Sequence, residues 1–148
     1  KHHPEVKSLR DANYELLDEV RGEVSKEDAL RAHYVIGEKE RVMEVSAALE
    51  KEDYEEVGKK MYETHDGLSR EYEVSCPELD FLVDVARDCG VSGARVMGGG
   101  FGGCTINLVS QELYANFIEK ARKSYQEKFG KAPVVIDVVI GDGARKLC

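Results

Sequence analysis

Five glycines occupy six consecutive positions, 98–103, between two short runs that are rich in β-forming residues. Ala94–Met97 precedes the glycines and Cys104–Val109 follows them, an order typical of a β-hairpin. Each glycine costs about 0.5–1 kcal/mol of folding free energy relative to alanine, so the run costs roughly 2.5–5 kcal/mol. A hairpin turn alone does not need that many glycines. The run predicts a backbone that another main chain or a ligand approaches closely, and the alternative is a merely flexible connection.

The glycine run also fits the pattern G-x-G-x-x-G, at Gly98, Gly100 and Gly103. A dinucleotide-binding turn opens a helix, whereas the residues after this run predict a strand, so that motif is excluded. A Walker A loop would end in Gly-Lys-Ser or Gly-Lys-Thr. A protein-kinase glycine loop does lie in a hairpin, but the chain contains no VAIK, HRD or DFG sequence. The three generic glycine motifs are therefore excluded.

The first half of the chain predicts helices. Residues 1–24 form a lead-in segment with a helical patch around Tyr14–Val20. Residues 25–72 predict a helical hairpin, because two N-cap patterns each precede a stretch with apolar residues at helical spacing. The caps are Ser25 with Asp28 and Asp53 with Glu56. The apolar residues of the first of these helices are Leu30, Val35, Val42, Val45 and Leu49.

Residues 73–148 predict a small α/β part. Ser75, with Pro77 in the first turn, predicts a cap for a third helix over about 78–89, and a further helix ends at Gly130. Val134–Ile140 predicts a buried strand. With one more strand, from Tyr72–Ser75 or from upstream sequence, the order gives an α+β fold: a ferredoxin-like split βαβ sheet with helices on one face.

Charge and cysteine content limit the function classes. The net charge of -8 disfavours contact with nucleic acid or with an anionic membrane surface. No apolar run is long enough to span a bilayer, and nothing resembles a signal peptide. The four cysteines lack metal-ligand spacing, which predicts free thiols in a reducing compartment, the cytoplasm. The start at Lys1, without a methionine, indicates a fragment.

Three segments carry a resemblance to a known family. ARVMGGGFGGCTINLV, at 94–109, resembles the third signature motif of the GHMP small-molecule kinases, and within them of the galactokinases. RAHYVIGEKERV at 31–42 and YEVSCPELDFLV at 72–83 are similar to galactokinase sequence between its second and third motifs. The first motif, with G-E-H-x-D-Y, and the second, a G-x-G-L-S-S-S phosphate loop, are absent. The resemblance therefore covers the C-terminal domain only.

The resemblance implies part of an enzyme that uses ATP and Mg²⁺ to phosphorylate galactose at its C1 hydroxyl. The missing N-terminal kinase domain would be the partner of this chain and would supply the catalytic carboxylate and arginine, most sugar contacts and the phosphate cradle. No catalytic residue and no metal ligand is expected in this chain. The loop implied to lie near the transferred phosphate is Gly98, Gly99, Gly100, Phe101, Gly102 and Gly103. Arg95 and Met97 are secondary candidates, and Met97 stands where the family often has threonine.

Several residues also have a purely structural interpretation. Phe101 is either an anchor or cleft wall, or an apolar plug under the hairpin. Arg95 is either a phosphate or interdomain contact, or a solvated arginine on a strand. His65 lies on an apolar helix stripe and predicts a hydrogen-bonded core histidine. Cys104 predicts a small buried side chain rather than a reactive thiol.

Three functions remain open at the level of sequence. The first is the C-terminal domain of a galactokinase that is inactive without its other half, or of a related GHMP kinase with a different sugar. The second is a non-catalytic sugar sensor or regulator with the same fold, because a fold does not guarantee chemistry. The third is an independent ferredoxin-like module that binds a metabolite.

Overall fold

The computed structural model of the chain describes residues 3–143. Its elements are α1 (Tyr14–Val20), α2 (Lys26–Glu50), α3 (Tyr54–Arg70), α4 (Pro77–Asp88), β1 (Gly93–Met97), β2 (Cys104–Leu108) and α5 (Gln111–Phe129). The predicted helices and the predicted hairpin are confirmed, and so is the α+β class. Among the described residues, no helix is long and apolar enough to cross a membrane.

The helix ends follow local signals in the sequence. The Ser25 hydroxyl accepts a hydrogen bond from the Asp28 amide, and the Asp53 carboxylate accepts one from the Glu56 amide, as predicted. Gly130, with φ of 75°, ends α5 in the left-handed conformation.

The predicted cap of α4 is wrong. Cys76, not Ser75, is the N-cap residue, and it makes no side-chain capping bond. Because Pro77 begins the helix, Ser75 lies outside the first turn, and its hydroxyl donates instead to the carboxylate of Asp80.

The strand predicted at Val134–Ile140 is also wrong. The sheet of the described residues has two antiparallel strands, β1 and β2, and 131–143 has no regular structure. Val134 is 86% exposed and Ile140 is 98% exposed. A β-forming sequence becomes a strand only against a neighbour whose edge and face it can cover, and no strand of residues 3–143 lies beside it. The alternative strand at 72–75 does not form either.

The core lies between the sheet and helices α4 and α5. It is built from small and branched side chains together with one phenylalanine of α5. The fully packed members are Val83, Val85, Ala86, Val91, Ala94, Phe117 and Ala121. This cluster fixes the hairpin on α4, and a second cluster of Ala12, Leu17 and Ile36 joins α1 to α2.

The buried face of α2 differs from the predicted one. Leu30, Val42 and Leu49 are exposed, whereas Tyr34 and Ile36 are buried. The cause lies in α3, where Gly67 has no side chain and the ring of Tyr34 packs directly on its backbone. The helices therefore meet along the Tyr34 face rather than along the regular apolar stripe.

Candidate functional site

The glycine run forms the tip of the β1–β2 hairpin. Met97 pairs with Cys104, so residues 98–103 form the loop between the strands. The backbone dihedral φ is positive at Gly98, Gly100, Phe101, Gly102 and Gly103, with values from 57° to 118°. L-residues with a side chain rarely adopt this region. The loop is therefore a conformation that a run of ordinary residues would not adopt.

A hydrogen bond fixes the middle of the loop. The Phe101 amide donates to the carbonyl oxygen of Val74, at 2.6 Å, in the segment between α3 and α4. A Cβ on Gly100 would overlap that same carbonyl group. The tip is thus held on neighbouring backbone at a point where only glycine allows the approach.

The other loop glycines have open surroundings. A Cβ added to Gly98, Gly99, Gly102 or Gly103 would meet no heavy atom within 4 Å. Residues 3–143 therefore leave room for side chains at these four positions, and glycine is not required there by packing within that part of the chain. Glycine backbone with open space around it allows an anion or another main chain to come close.

Phe101 is 79% exposed at the tip, with φ of 57°. The interpretation of Phe101 as an apolar plug is therefore wrong, because its ring projects from the hairpin instead of filling the space beneath it. A side chain in the left-handed region costs about 1–2 kcal/mol. The role of Phe101 as an anchor or cleft wall stays a prediction.

The secondary candidates lie at the base of the tip. Arg95 is half-buried, and its guanidinium donates to the Val96 carbonyl at 3.0 Å. The same guanidinium lies near Tyr34, whose pKa is raised by burial and by Glu38, with Arg41 and Arg95 opposing. Met97 is 48% exposed at the end of β1. Neither contact of Arg95 involves a glycine of the loop, whereas Met97 directly precedes Gly98.

His65 of α3 lies directly behind β1. It is 3% exposed, and its Nδ1 accepts a hydrogen bond from the Val96 amide at 3.3 Å. Its Nε2 lies 3.2 Å from Oδ1 of Asp80. Burial lowers the pKa of His65, and the nearby carboxylate of Asp80 opposes that shift. The prediction of a hydrogen-bonded core histidine is confirmed.

Asp80 is a residue that the sequence analysis missed. Its carboxylate accepts hydrogen bonds from the hydroxyls of Ser69, at 3.0 Å, and of Ser75, and it faces His65. The three partners come from α3 and from the segment before α4. Asp80 has the ordinary pattern of a first-turn helix acid, so no sequence signal separates it from a solvated carboxylate.

Helix α3 also covers the outer edge of β1. The Val96 amide points away from β2 toward His65, and a Cβ on Gly58 would overlap the carbonyl of Ser92 just before β1. Backbone therefore packs on backbone at this position. The contact removes an exposed strand edge, which proteins commonly cover with a helix or loop.

Cys104 is exposed at the start of β2, so the prediction of a buried side chain is wrong. It pairs with the exposed Met97 at the tip, beyond the part of the sheet that the helices cover. Cys76 and Cys89 are free thiols, as expected, and Cys148 lies outside the described residues. Within residues 3–143, no three His, Cys, Asp or Glu side chains are placed to hold a metal ion.

Comparison with known proteins places this geometry in a family. Residues 45–127 match the family described as GHMP kinases C terminal. The galactokinase of Homo sapiens is 44% identical over 142 residues, which cover 95% of this chain and 35% of the human protein. That of Thermotoga maritima is 38% identical over 144 residues, covering 97% of this chain and 40% of the relative. The chain thus spans little more than a third of the relatives it matches.

Solved structures give the same fold. The Lactococcus lactis galactokinase complexed with galactose superposes with a TM-score of 0.79 at 29% identity, over 86% of this chain and 33% of that one. The mevalonate kinase of L. major, in complex with R-mevalonate, superposes with a TM-score of 0.61 at 24% identity, over 75% of this chain and 33% of that one. The second likeness concerns the fold alone.

Proposed function

The chain belongs to the GHMP kinase C-terminal family, and on that premise we propose that it forms the C-terminal domain of an ATP-dependent galactokinase. The reaction phosphorylates the C1 hydroxyl of galactose and yields galactose 1-phosphate. Residues 25–148 are the domain, with the helical hairpin at 25–72 and the sheet part at 73–148, and 1–24 lead into it. The relatives are more than twice as long as this chain, so an N-terminal domain is its partner.

The chemistry is an in-line phosphoryl transfer. The C1 oxygen of the sugar forms a bond to the γ-phosphorus while the bond to the leaving ADP oxygen breaks, and the hydroxyl proton passes to the carboxylate that the N-terminal domain would supply. Negative charge is spread over the transferred oxygens, so catalysis depends on positioning and on charge stabilisation. Mg²⁺, when bound, neutralises part of that charge. Its ligands belong to the N-terminal domain in this proposal, as the resemblance to the galactokinases implies.

The contribution of this chain is the backbone of the hairpin tip. Gly98, Gly99, Gly102 and Gly103 have open space where a Cβ would lie, so their backbone suits close approach to a phosphate cradle or to phosphate oxygens. The exposed ring of Phe101 is suited to contact with the N-terminal domain. None of these groups transfers a proton, so the proposal places no catalytic acid or base in the chain.

One observation supports the proposal most directly. The galactokinase-like loop 98–103 is held on the Val74 carbonyl with five positive φ angles, yet a Cβ on four of its five glycines would meet no atom of the described residues. A loop that keeps glycine where residues 3–143 leave room for a side chain suits close approach by a group from the other domain.

The experiment compares the chain with a longer protein that restores roughly 240 upstream residues, the size of an additional domain. Galactose-dependent release of ADP is measured in the presence of MgATP. We expect no turnover by the chain alone and turnover by the longer protein. Omission of galactose, and its replacement by N-acetylgalactosamine or galacturonate, are the controls for substrate identity.

Each contrary result has a distinct meaning. Turnover by the isolated chain would contradict the assignment of the catalytic groups to the other domain. Galactose binding by the longer protein without ADP release would identify a sugar sensor or regulator. Turnover with another sugar alone would keep the kinase and change its substrate.

A further inference from the structure

We propose that Asp80 is a positioning residue for the glycine hairpin, acting through His65 at the base of the hairpin and through Ser75 near its tip. The inference rests on the proposed kinase function and adds a residue that determines where the loop lies when nucleotide is bound. The recorded polar partners of Asp80 are Ser69, Ser75 and His65, all outside the loop. It acts by holding the two groups that hold the hairpin.

The first contact through which Asp80 acts is the hydrogen bond between His65 and β1. The Val96 amide points away from β2 and donates to Nδ1 of His65. That nitrogen must therefore carry a lone pair, and in a neutral imidazole the proton is then on Nε2. Nε2 lies 3.2 Å from Oδ1 of Asp80, close enough for the carboxylate to attract this N–H electrostatically. The negative charge of Asp80 thereby favours the tautomer with its proton on Nε2, which is the form of His65 that can accept from Val96.

The second contact is the hydrogen bond between Val74 and the hairpin tip. The Val74 carbonyl accepts the Phe101 amide, and the next residue, Ser75, donates its hydroxyl to the same carboxylate of Asp80. The short segment that carries the tip is thus tied to α4 at the residue beside the contact. One carboxylate therefore connects both points at which the hairpin is fixed.

Asp80 has more polar partners than are needed to join α3 to α4. Ser69 of α3 donates a third bond to Asp80, on the oxygen opposite the one that faces His65. A carboxylate with partners on both oxygens has a fixed orientation, and a fixed carboxylate fixes the ring of His65. Small displacements of a loop that orders phosphates cost catalysis strongly, so this orientation has a functional consequence.

Protonation of His65 would break its hydrogen bond with the Val96 amide. A proton on Nδ1 removes the acceptor and places two N–H donors against each other. The charged groups that face the ring are Asp66 on α3 and Asp80, Asp84 and Arg87 on α4. Burial outweighs the carboxylates and lowers the pKa of His65, so the ring stays neutral at physiological pH.

The first test measures backbone amide exchange by NMR in the protein. Asp80→Ala is expected to speed exchange of both the Val96 and the Phe101 amides about tenfold or more, the effect of loosening a buried hydrogen bond. Asp88→Ala, at the exposed last residue of α4, is the matched control and is expected to leave both unchanged. If Asp80→Ala does not fold, Asp80→Asn provides the same comparison with Asp88→Asn.

Variants of His65 separate the role of Nδ1, which holds Val96, from that of Nε2, which lies near Asp80. In His65→Asn, the side-chain oxygen replaces Nδ1 as acceptor, so Val96 stays protected, and that protection becomes independent of pH. In His65→Gln, the amide reaches toward Asp80 but leaves Val96 without its acceptor, so Val96 exchanges faster. Equal exchange at Val96 in the two variants would overturn the role of Nδ1.

The second test uses the longer kinase. Asp80→Asn is expected to lower kcat about tenfold with an unchanged KM for galactose, because the loop and not the sugar site is displaced. Slower turnover together with faster exchange at Val96 and Phe101 supports the proposal. Changed exchange with unchanged kcat overturns it, and so does unchanged exchange at any activity. If the wild-type longer protein has no kinase activity, the proposed function fails while the exchange data still decide whether Asp80 holds the hairpin.

Discussion

At the scale of single residues, the hairpin tip depends on the side chain that Gly100 lacks. The Val74 carbonyl occupies the space where a Cβ of Gly100 would lie, and φ there is 80°. Both features exclude alanine, one by overlap and one by backbone strain. The neighbouring Gly99 has neither restriction, since it has no atom in the way and no positive φ.

Gly100→Ala is therefore expected to lower the free energy of unfolding by about 2–4 kcal/mol. Gly99→Ala is the matched control, and it is expected to change stability by less than about 1 kcal/mol, in the stabilising direction. Urea unfolding followed by circular dichroism measures both. Equal effects of the two substitutions would show that the contact with Val74 does not fix the loop.

The exposed ring of Phe101 predicts a separation of stability from activity. Phe101→Ala removes a side chain that is 79% exposed, so the free energy of unfolding should change by less than about 0.5 kcal/mol. In the longer kinase the same substitution is expected to lower kcat/KM for ATP severalfold. Unchanged kinetics would show that the ring makes no contact with the other domain.

His65 gives a pH dependence with a definite sign. Its pKa in the folded chain is lower than the usual value near 6.5, so the unfolded chain binds the proton more readily. The stabilisation is complete above about 6.5 and is lost as the pH falls from there through the lower folded-state pKa. His65→Asn cannot titrate, so the difference in urea midpoint between wild type and variant should shrink or reverse on acidification. A constant difference from pH 8 to pH 5 would contradict this.

The site was predictable from sequence only where its requirements are local. Five glycines before a strand predict an unusual backbone wherever the chain folds, and residues 98–103 adopt it. The groups that hold the loop, Val74, His65 and Asp80, come from three separate segments. Each has an ordinary appearance in its own helix or loop, and only the fold brings them together.

At the scale of elements, the ends of helices were more predictable than their faces. Caps act over three or four residues, which is why Ser25 and Asp53 begin α2 and α3 where expected. Which face of α2 is buried depends on α3, where Gly67 admits the ring of Tyr34. Periodicity identifies an apolar stripe but does not identify its partner, so Val42 was wrongly expected to be buried.

The packing of α3 on β1 predicts a helix glycine that cannot be replaced. Alanine normally stabilises a helix interior by about 1 kcal/mol relative to glycine. Gly58→Ala should instead destabilise the protein by about 2 kcal/mol or more, because the new Cβ meets the rigid carbonyl of Ser92. Gly37→Ala in α2 is the control, since its nearest obstacle is the movable hydroxyl of Tyr14. A stabilising Gly58→Ala would show that α3 does not pack so closely on the strand.

At the scale of the whole molecule, several apolar side chains of α2 and of the segment 131–143 are exposed to solvent. Val42 and Met43 of α2 are 59% and 69% exposed, and Val139 and Ile140 are 94% and 98% exposed. Surfaces of this kind mark contacts with another chain or domain. The predicted strand at 134–140 failed for the same reason, because its nearly continuous apolar sequence needs neighbours that residues 3–143 do not provide.

The exposed apolar surface predicts self-association of the chain on its own. Sedimentation velocity at rising concentration should show a mass that increases for the wild type. The double variant Val139→Glu with Ile140→Glu should stay monomeric at concentrations where the wild type associates. Gln111→Glu with Asn116→Glu adds the same charge at exposed polar positions of α5 and should leave the association unchanged. Equal association of both double variants with the wild type would place the contact elsewhere.

Because α3 covers the outer edge of β1, a further strand can join the sheet on one side only. The Val96 amide is already taken by His65, and Gly58 closes the start of the same strand, so no strand can be added on that side. Any additional strand must pair with β2, Cys104–Leu108, at the opposite edge of the sheet. In a longer protein the sheet therefore extends outward from β2 alone, and the glycine tip stays at a corner of the finished sheet instead of in its middle.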